Sequence, residues 1–198
     1  MIIQQSIRRI NMNLIAQNFT SVLLLSINLL TTLSYFIVYS NNGYKKAFAK
    51  LPMLLQKIYV AFFVLPLFLA PFFGVSKFAP ASLPFIIGGS SIALIGFLLI
   101  ILSFLKIGVV PSIKHDGKLS TTGVYKIVRH PIYFGTIVTQ LGLSLANQSV
   151  ITLLYLPIST FLYYVMATIE ERDLVDSFGD EYKSFQKNTK GKVIPLIL

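Results

Sequence analysis

Hydrophobic residues run through this chain in five long blocks, separated by short polar clusters. The first covers about residues 14–38, the second 54–73 with Pro66 and Pro71 inside it, and the third 83–105. Each approaches or exceeds the ~20 residues that a spanning helix needs. The fourth, 133–146, has 14 residues and the fifth, 150–169, has 20. Only Asn147, Gln148 and Ser149 separate these two, which predicts an antiparallel helical hairpin. At 1.5 Å rise per residue the fourth block reaches roughly 21 Å, short of a ~30 Å hydrocarbon core. The hairpin is therefore expected to tilt, or to stop before the far interface.

Composition agrees with this pattern. The 198 residues are 55% hydrophobic and 12% charged, with mean hydropathy +0.74, whereas a soluble domain averages about 25% charged residues. The expected class is an all-α integral membrane protein of about five transmembrane helices in a single membrane domain, 1–198. Residues 1–105 supply three N-terminal spans, and 106–198 a loop, a helical hairpin and a tail. The first block is long and carries Asn18, Ser21, Ser26 and Asn28, and no small-residue cleavage pattern follows it. It reads as a retained span and not as a signal peptide. There is no internal repeat and no low-complexity stretch.

The net charge of +10 raises the question of a nucleic-acid partner, which the placement of the charges answers. In a five-span arrangement 14 of the 17 basic residues lie on one side: between spans one and two, between spans three and four, and after span five. Arg8, Arg9 and Lys77 lie on the other. The positive-inside rule then makes the large loop and the C-terminal tail cytoplasmic. Arg8 and Arg9 run against this orientation, unless residues 1–13 lie along the interface with their basic side chains snorkelling. Nucleic acid is not an expected partner. With zero cysteines the chain has no disulfide, zinc–thiolate site or cysteine nucleophile, and no metal is expected.

Three polar clusters border the last two spans. In the stretch 123–135, Pro131 follows Arg129-His130 and suits the first position of a helix, where its fixed φ and missing N–H are tolerated. The unpaired first-turn N–H groups there favour an anion. Tyr125, His130 and Tyr133 add donors, acceptors and flat aromatic surfaces. The tyrosines also read as interfacial anchors and Arg129 as a positive-inside residue, with even weight. Upstream, residues 116–123 have the glycines and hydroxyls of a tight loop whose backbone can approach a ligand, although by itself the stretch reads first as a plain turn, and His115 reads as a solvated loop residue. Downstream, Glu170 and Glu171 close the fifth block and begin a short polar helix that should stop near Phe178-Gly179, with glycine past its C-terminus. Helical spacing puts Glu170 on one face with Tyr163, Met166, Asp173 and Leu174. Taken alone, the pair reads first as a solvated acidic pair balancing Arg172 and the basic loops.

In order along the chain, Lys118-Leu119, Gly123-Val124-Tyr125, Arg129-His130-Pro131-Ile132-Tyr133, Glu170-Glu171, the run 178–182 and a closing Pro195 resemble the isoprenylcysteine carboxyl methyltransferase and phospholipid methyltransferase superfamily of membrane enzymes. The resemblance covers roughly residues 105–198. It implies an S-adenosylmethionine site built from the loop, the hairpin and the tail. Gly117, Lys118, Leu119, Ser120, Tyr125, His130, Pro131, Ile132 and Tyr133 would line the cofactor, and Glu170 would meet its positive part. His130, Tyr133 and Glu170 would form the catalytic set, with Arg129, Met166 and Arg172 toward the substrate. The chain departs from the family at Met166, where prenylcysteine members carry an arginine. It departs also at Phe185, where a second tail tyrosine is usual, at Lys192, where arginine is usual, and at Gly117, where a histidine precedes the lysine.

The resemblance implies methyl transfer from S-adenosylmethionine to a lipid-like or amphiphilic acceptor in the membrane, including a carboxylate of isoprenylcysteine type. A phospholipid N-methyltransferase fits the same motifs. A sterol-type reductase using a nicotinamide cofactor is disfavoured by the small chain and by the glutamate pair. A non-catalytic scaffold or transporter component is the remaining class. A transporter should carry ionisable residues inside its spans, and here only Lys57 falls within one.

Overall fold

The helices follow the apolar blocks, because in lipid every backbone N–H and C=O must be satisfied within the chain. The computed structural model describes residues 18–107 and 119–195. Among them are seven α-helices: α1 (Phe19–Ser40), α2 (Asn42–Ala49), α3 (Met53–Phe73), α4 (Leu83–Ile107), α5 (Pro131–Ala146), α6 (Val150–Phe178) and α7 (Asp180–Asn188). A 3₁₀ turn, Gly123–Lys126, precedes α5. The described residues form no strand beyond an isolated antiparallel bridge between Lys77 and Ser149. Helices α1, α3, α4 and α6 are long and apolar enough to cross a bilayer, and α5 is a shorter apolar helix. The protein is an all-α membrane protein.

Ser21 and Asn28, two of the polar residues that stud the first block, face α3 and α6. Ser21 Oγ donates to Ala70 O at 2.7 Å, and Asn28 Nδ2 to Phe63 O at 2.6 Å. Asn28 Oδ1 accepts from Tyr155 Oη of α6 at 2.8 Å. Helix α3 carries Pro66 and Pro71 in its interior. Asn18 ties the start of α1 to the end of α3, its Oδ1 accepting from Val75 N and Ser76 N at 2.9 and 3.1 Å. Beside it, Val150 N donates to Ser76 O at 3.0 Å and Phe78 N to Gln148 O at 3.1 Å, closing one end of the bundle.

The tight turn between α5 and α6 is present, with Gln148 at φ 49°. The main partner of α5, however, is α4 and not its hairpin mate. Gly89 and Gly96 of α4 face Gly135 and Gly142 of α5. A Cβ on Gly89 would collide with the Ala146 backbone, and one on Gly142 with the Ala93 backbone. Small residues at three- and four-residue spacing let the two backbones touch, a common basis for helix association in membranes.

At the opposite end from Asn18, the ends of α1, α4 and α6 meet α2, the 3₁₀ turn, α7 and the tail. As expected, α5 starts at Pro131 and the helix carrying Glu170 ends at Phe178, but no separate polar helix begins at the glutamates, because α6 runs unbroken from Val150. It stops at Gly179, whose φ of 54° is the left-handed region glycine tolerates. Helices α2 and α7 are additions to the five blocks. They have only 8 and 9 residues, too few for an apolar repeat to stand out in sequence. The tail then returns to the start of α5, where Arg129 N and His130 N donate to Gly191 O and Lys192 O, each at 2.9 Å.

Candidate active site

The last turns of α6 present their two carboxylates in different directions, because neighbours on a helix are rotated by about 100°. Glu170 points toward α1 and α5. Its Oε1 accepts from Tyr133 Oη and from Tyr35 Oη, both at 2.7 Å. Its Oε2 lies 3.4 Å from His130 Nδ1. Aromatic rings surround the group: His130 stacks on Tyr133 (5.6 Å, 9°), Tyr133 on Tyr163 (5.2 Å, 18°), and Tyr35 on Tyr39 (4.0 Å, 18°).

Glu171 points under the tail. Arg129 Nε donates to its Oε1 at 2.5 Å, and both side chains are only 9% exposed. Tyr182 Oη of α7 donates to the same oxygen at 3.3 Å, while Gln186 Nε2 and Lys192 Nζ approach Oε2 at 3.2 and 3.4 Å. Arg129 Nη1 also donates to Thr189 O and Lys190 O. This is a buried cluster holding α7 and the tail against α6. His130 stands between the two carboxylates, with Nε2 3.5 Å from Glu171 Oε1. Its burial opposes a charge, but Glu170 and Glu171 outweigh it and hold the imidazole above the usual histidine range. Burial, and secondarily the Glu171 charge, push the Tyr182 phenol up.

A cavity of about 240 Å³ opens over Glu170. Of the residues expected around a cofactor, Leu119, Ser120, Tyr125, His130, Pro131, Ile132, Tyr133 and Glu170 all line it; Gly117 and Lys118, with His115, lie outside the described residues. Tyr125 is buried, and its hydroxyl has no hydrogen-bond partner among the described residues. Burial and the nearby Glu170 charge raise that phenol. Met166 forms part of the cavity wall and is 2% exposed. Arg129 lines the cavity too, but its guanidinium is already bound to Glu171 and the tail carbonyls. Arg172 is exposed and does not line the cavity.

Part of the wall comes from the N-terminal half: Tyr35 and Tyr39 of α1, Phe48 of α2, and Tyr59, Val60 and Val64 of α3. Sequence reasoning did not assign these residues to the site. The one available signal was the i, i+4 tyrosine pair 35 and 39 near the end of the first block, which reads equally as an interfacial anchor. Asp173, one turn past Glu170, also lines the cavity and receives Lys45 Nζ of α2 at 2.6 Å. No group of three or more His, Cys, Asp or Glu side chains suited to a metal occurs among the described residues.

Chemically, the site offers a carboxylate with stacked aromatic rings, a combination that receives a cation. It also offers an unpaired buried phenol and apolar walls that exclude water. Comparison with known proteins points the same way. A family described as phospholipid methyltransferase matches residues 84–181. Methanethiol S-methyltransferase of Pseudomonas deceptionensis is 36% identical over 80 residues, 40% of this chain and 29% of that protein. Methanethiol S-methyltransferase 1 of Bradyrhizobium diazoefficiens is 39% identical over 70 residues, 35% of this chain and 24% of that protein. Protein-S-isoprenylcysteine O-methyltransferase of Schizosaccharomyces pombe is 39% identical over 83 residues, 41% of this chain and 35% of that protein. The chain thus spans about a quarter to a third of the length of these relatives. No solved structure matches it significantly.

Proposed function

Because the chain belongs to the isoprenylcysteine carboxyl methyltransferase and phospholipid methyltransferase superfamily, we propose that it transfers a methyl group from S-adenosylmethionine to a lipid-like or amphiphilic acceptor entering from the bilayer. The observation that carries this reading is the cavity itself. Glu170 stands in its wall, ringed by His130, Tyr133 and Tyr35, and apolar side chains of spanning helices, among them Val60, Phe63, Val64, Phe104 and Met166, form much of the remainder.

The residues present fit the cofactor. Glu170 and the parallel rings suit its positive groups, the open hydroxyl of Tyr125 suits a polar group in the buried wall, and the start of α5 at Pro131 suits its carboxylate. S-adenosylmethionine supplies an electrophilic methyl on a sulfonium. The chain's own part is to align acceptor and methyl and to keep water out, which is where most of the acceleration in such a displacement arises. A carboxylate or thiolate acceptor needs no base. An amine must lose a proton, and His130, held toward its charged form by Glu170 and Glu171, is poorly suited to take it.

The apolar lining residues Met166, Val60 and Val64 favour an acceptor with a hydrocarbon portion. A second reading, methylation of a small thiol, is favoured by the names of the methanethiol S-methyltransferase relatives. Calorimetric titration of the detergent-purified protein with S-adenosylmethionine, beside NADPH, tests the reaction class. Methyl transfer from labelled cofactor to extracted membrane lipids, a prenylcysteine analogue and methanethiol tests the acceptor. Binding of S-adenosylmethionine and labelling of a lipid fraction are expected. NADPH binding alone overturns the methyltransferase reading.

A further inference from the structure

The carboxylate of Glu170 is held from two different helices, and only one of them belongs to the matched region. Tyr133 comes from α5, within residues 84–181, whereas Tyr35 comes from α1, 135 residues away from Glu170 in sequence. Both phenols donate to the same oxygen, Oε1, at 2.7 Å. A glutamate at the end of a long helix has three side-chain torsions to settle, and ordering them costs entropy. Two donors converging on Oε1 from separate helices fix its position in space, and Oε2 is then directed toward His130 and the cavity.

The ring of Tyr35 is itself immobilised. It is buried, stacks on Tyr39 at 4.0 Å and 18°, and meets Phe63 at 6.2 Å. Lys45 Nζ sits 5.5 Å over the Tyr39 ring and pairs with Asp173, so α1, α2 and α6 are tied together one turn beyond Glu170 as well. Packing alone would be served by phenylalanine at position 35. A hydroxyl carried into this apolar wall is stable there because it has the carboxylate to bond.

We propose that Tyr35 is a positioning residue of the site, orienting the Glu170 carboxylate for the positive group of the cofactor. The first helix is then part of the catalytic apparatus and not only an anchor. The proposal rests on the methyltransferase reading above.

The test is a double-mutant cycle on the full chain in detergent, with S-adenosylmethionine affinity measured by calorimetry for wild type, Tyr35→Phe, Glu170→Gln and the double variant. Tyr35→Phe keeps the ring and its stack on Tyr39, so the fold is retained. Losing one hydrogen bond to a charged group is expected to weaken binding about tenfold. In the Glu170→Gln background the same substitution should change affinity by less than about twofold. The KM for the cofactor should rise in parallel with the loss of affinity while the KM for the acceptor stays put, a split that a general loosening of the bundle does not produce. Equal losses in both backgrounds, or no loss in either, overturn the proposal while leaving the methyltransferase reading intact. A wild-type protein that does not bind S-adenosylmethionine overturns both.

Discussion

Glu170 and Glu171 are adjacent in sequence and have separate environments: Glu170 accepts two tyrosine hydroxyls at the cavity, while Glu171 is bound to Arg129 at 2.5 Å beneath the tail. His130 touches both, at 3.4 and 3.5 Å, and so connects the cavity-facing carboxylate to the one that holds the tail. The pair therefore divides between the cavity and the packing of the tail.

That division predicts different outcomes for the same chemical change. Glu170→Gln should weaken S-adenosylmethionine binding by about 1.5–3 kcal/mol, the range for a hydrogen bond to a charged group, with little change in unfolding temperature. Glu171→Gln leaves Arg129 without its anionic partner in a buried site and should destabilise the protein by about 3–5 kcal/mol. Calorimetry and thermal unfolding on both variants decide this, and equal, negligible effects would return both residues to a solvated acidic pair.

His130 makes stability depend on pH. Its value is raised in the folded protein, so the stabilisation is fully present below its unfolded value of about 6.5 and is lost as pH rises through the folded value. The difference in unfolding temperature between wild type and His130→Gln should be largest in mild acid and shrink toward alkaline pH. A difference that grows with pH would contradict the ion-pair geometry.

Close contact of α4 and α5 depends on missing side chains. Gly142→Ala puts a Cβ against the Ala93 backbone and should destabilise by about 1–3 kcal/mol, the usual cost of overpacking. Gly88→Ala, with nothing within 4 Å of its added Cβ, should stay within about 1 kcal/mol of wild type. Thermal unfolding in detergent compares the two directly.

Orientation can be read with single cysteines, because the chain contains none. Val75 is 59% exposed at the Asn18 end, and the Lys183 side chain is 56% exposed at the tail end. If the basic end is cytoplasmic, a membrane-impermeant maleimide should label Val75→Cys on intact cells and Lys183→Cys only after permeabilisation. The reverse pattern would invert the topology.

Local features were legible in the sequence because their causes are local. The apolar blocks mark helices, since lipid leaves the backbone no other way to satisfy itself. Pro131 marks the start of α5 and Gly179 the end of α6, through the φ angles each residue favours. The ordered motifs from Leu119 to Glu171 told which residues gather at one end, and their resemblance to a family is the source of the role proposed for them. The α4–α5 seam was legible in principle from Gly89, Gly96, Gly135 and Gly142, but only a partner helix gives that spacing its meaning. The tertiary structure alone decided that Glu170 faces the cavity and Glu171 the tail, since both directions lie open to an isolated helix. It also decided that Tyr35, in a block that reads as a simple membrane anchor, reaches Glu170. A contact across 135 residues depends on how α1 packs against α5 and α6, and no local pattern in either segment encodes that packing.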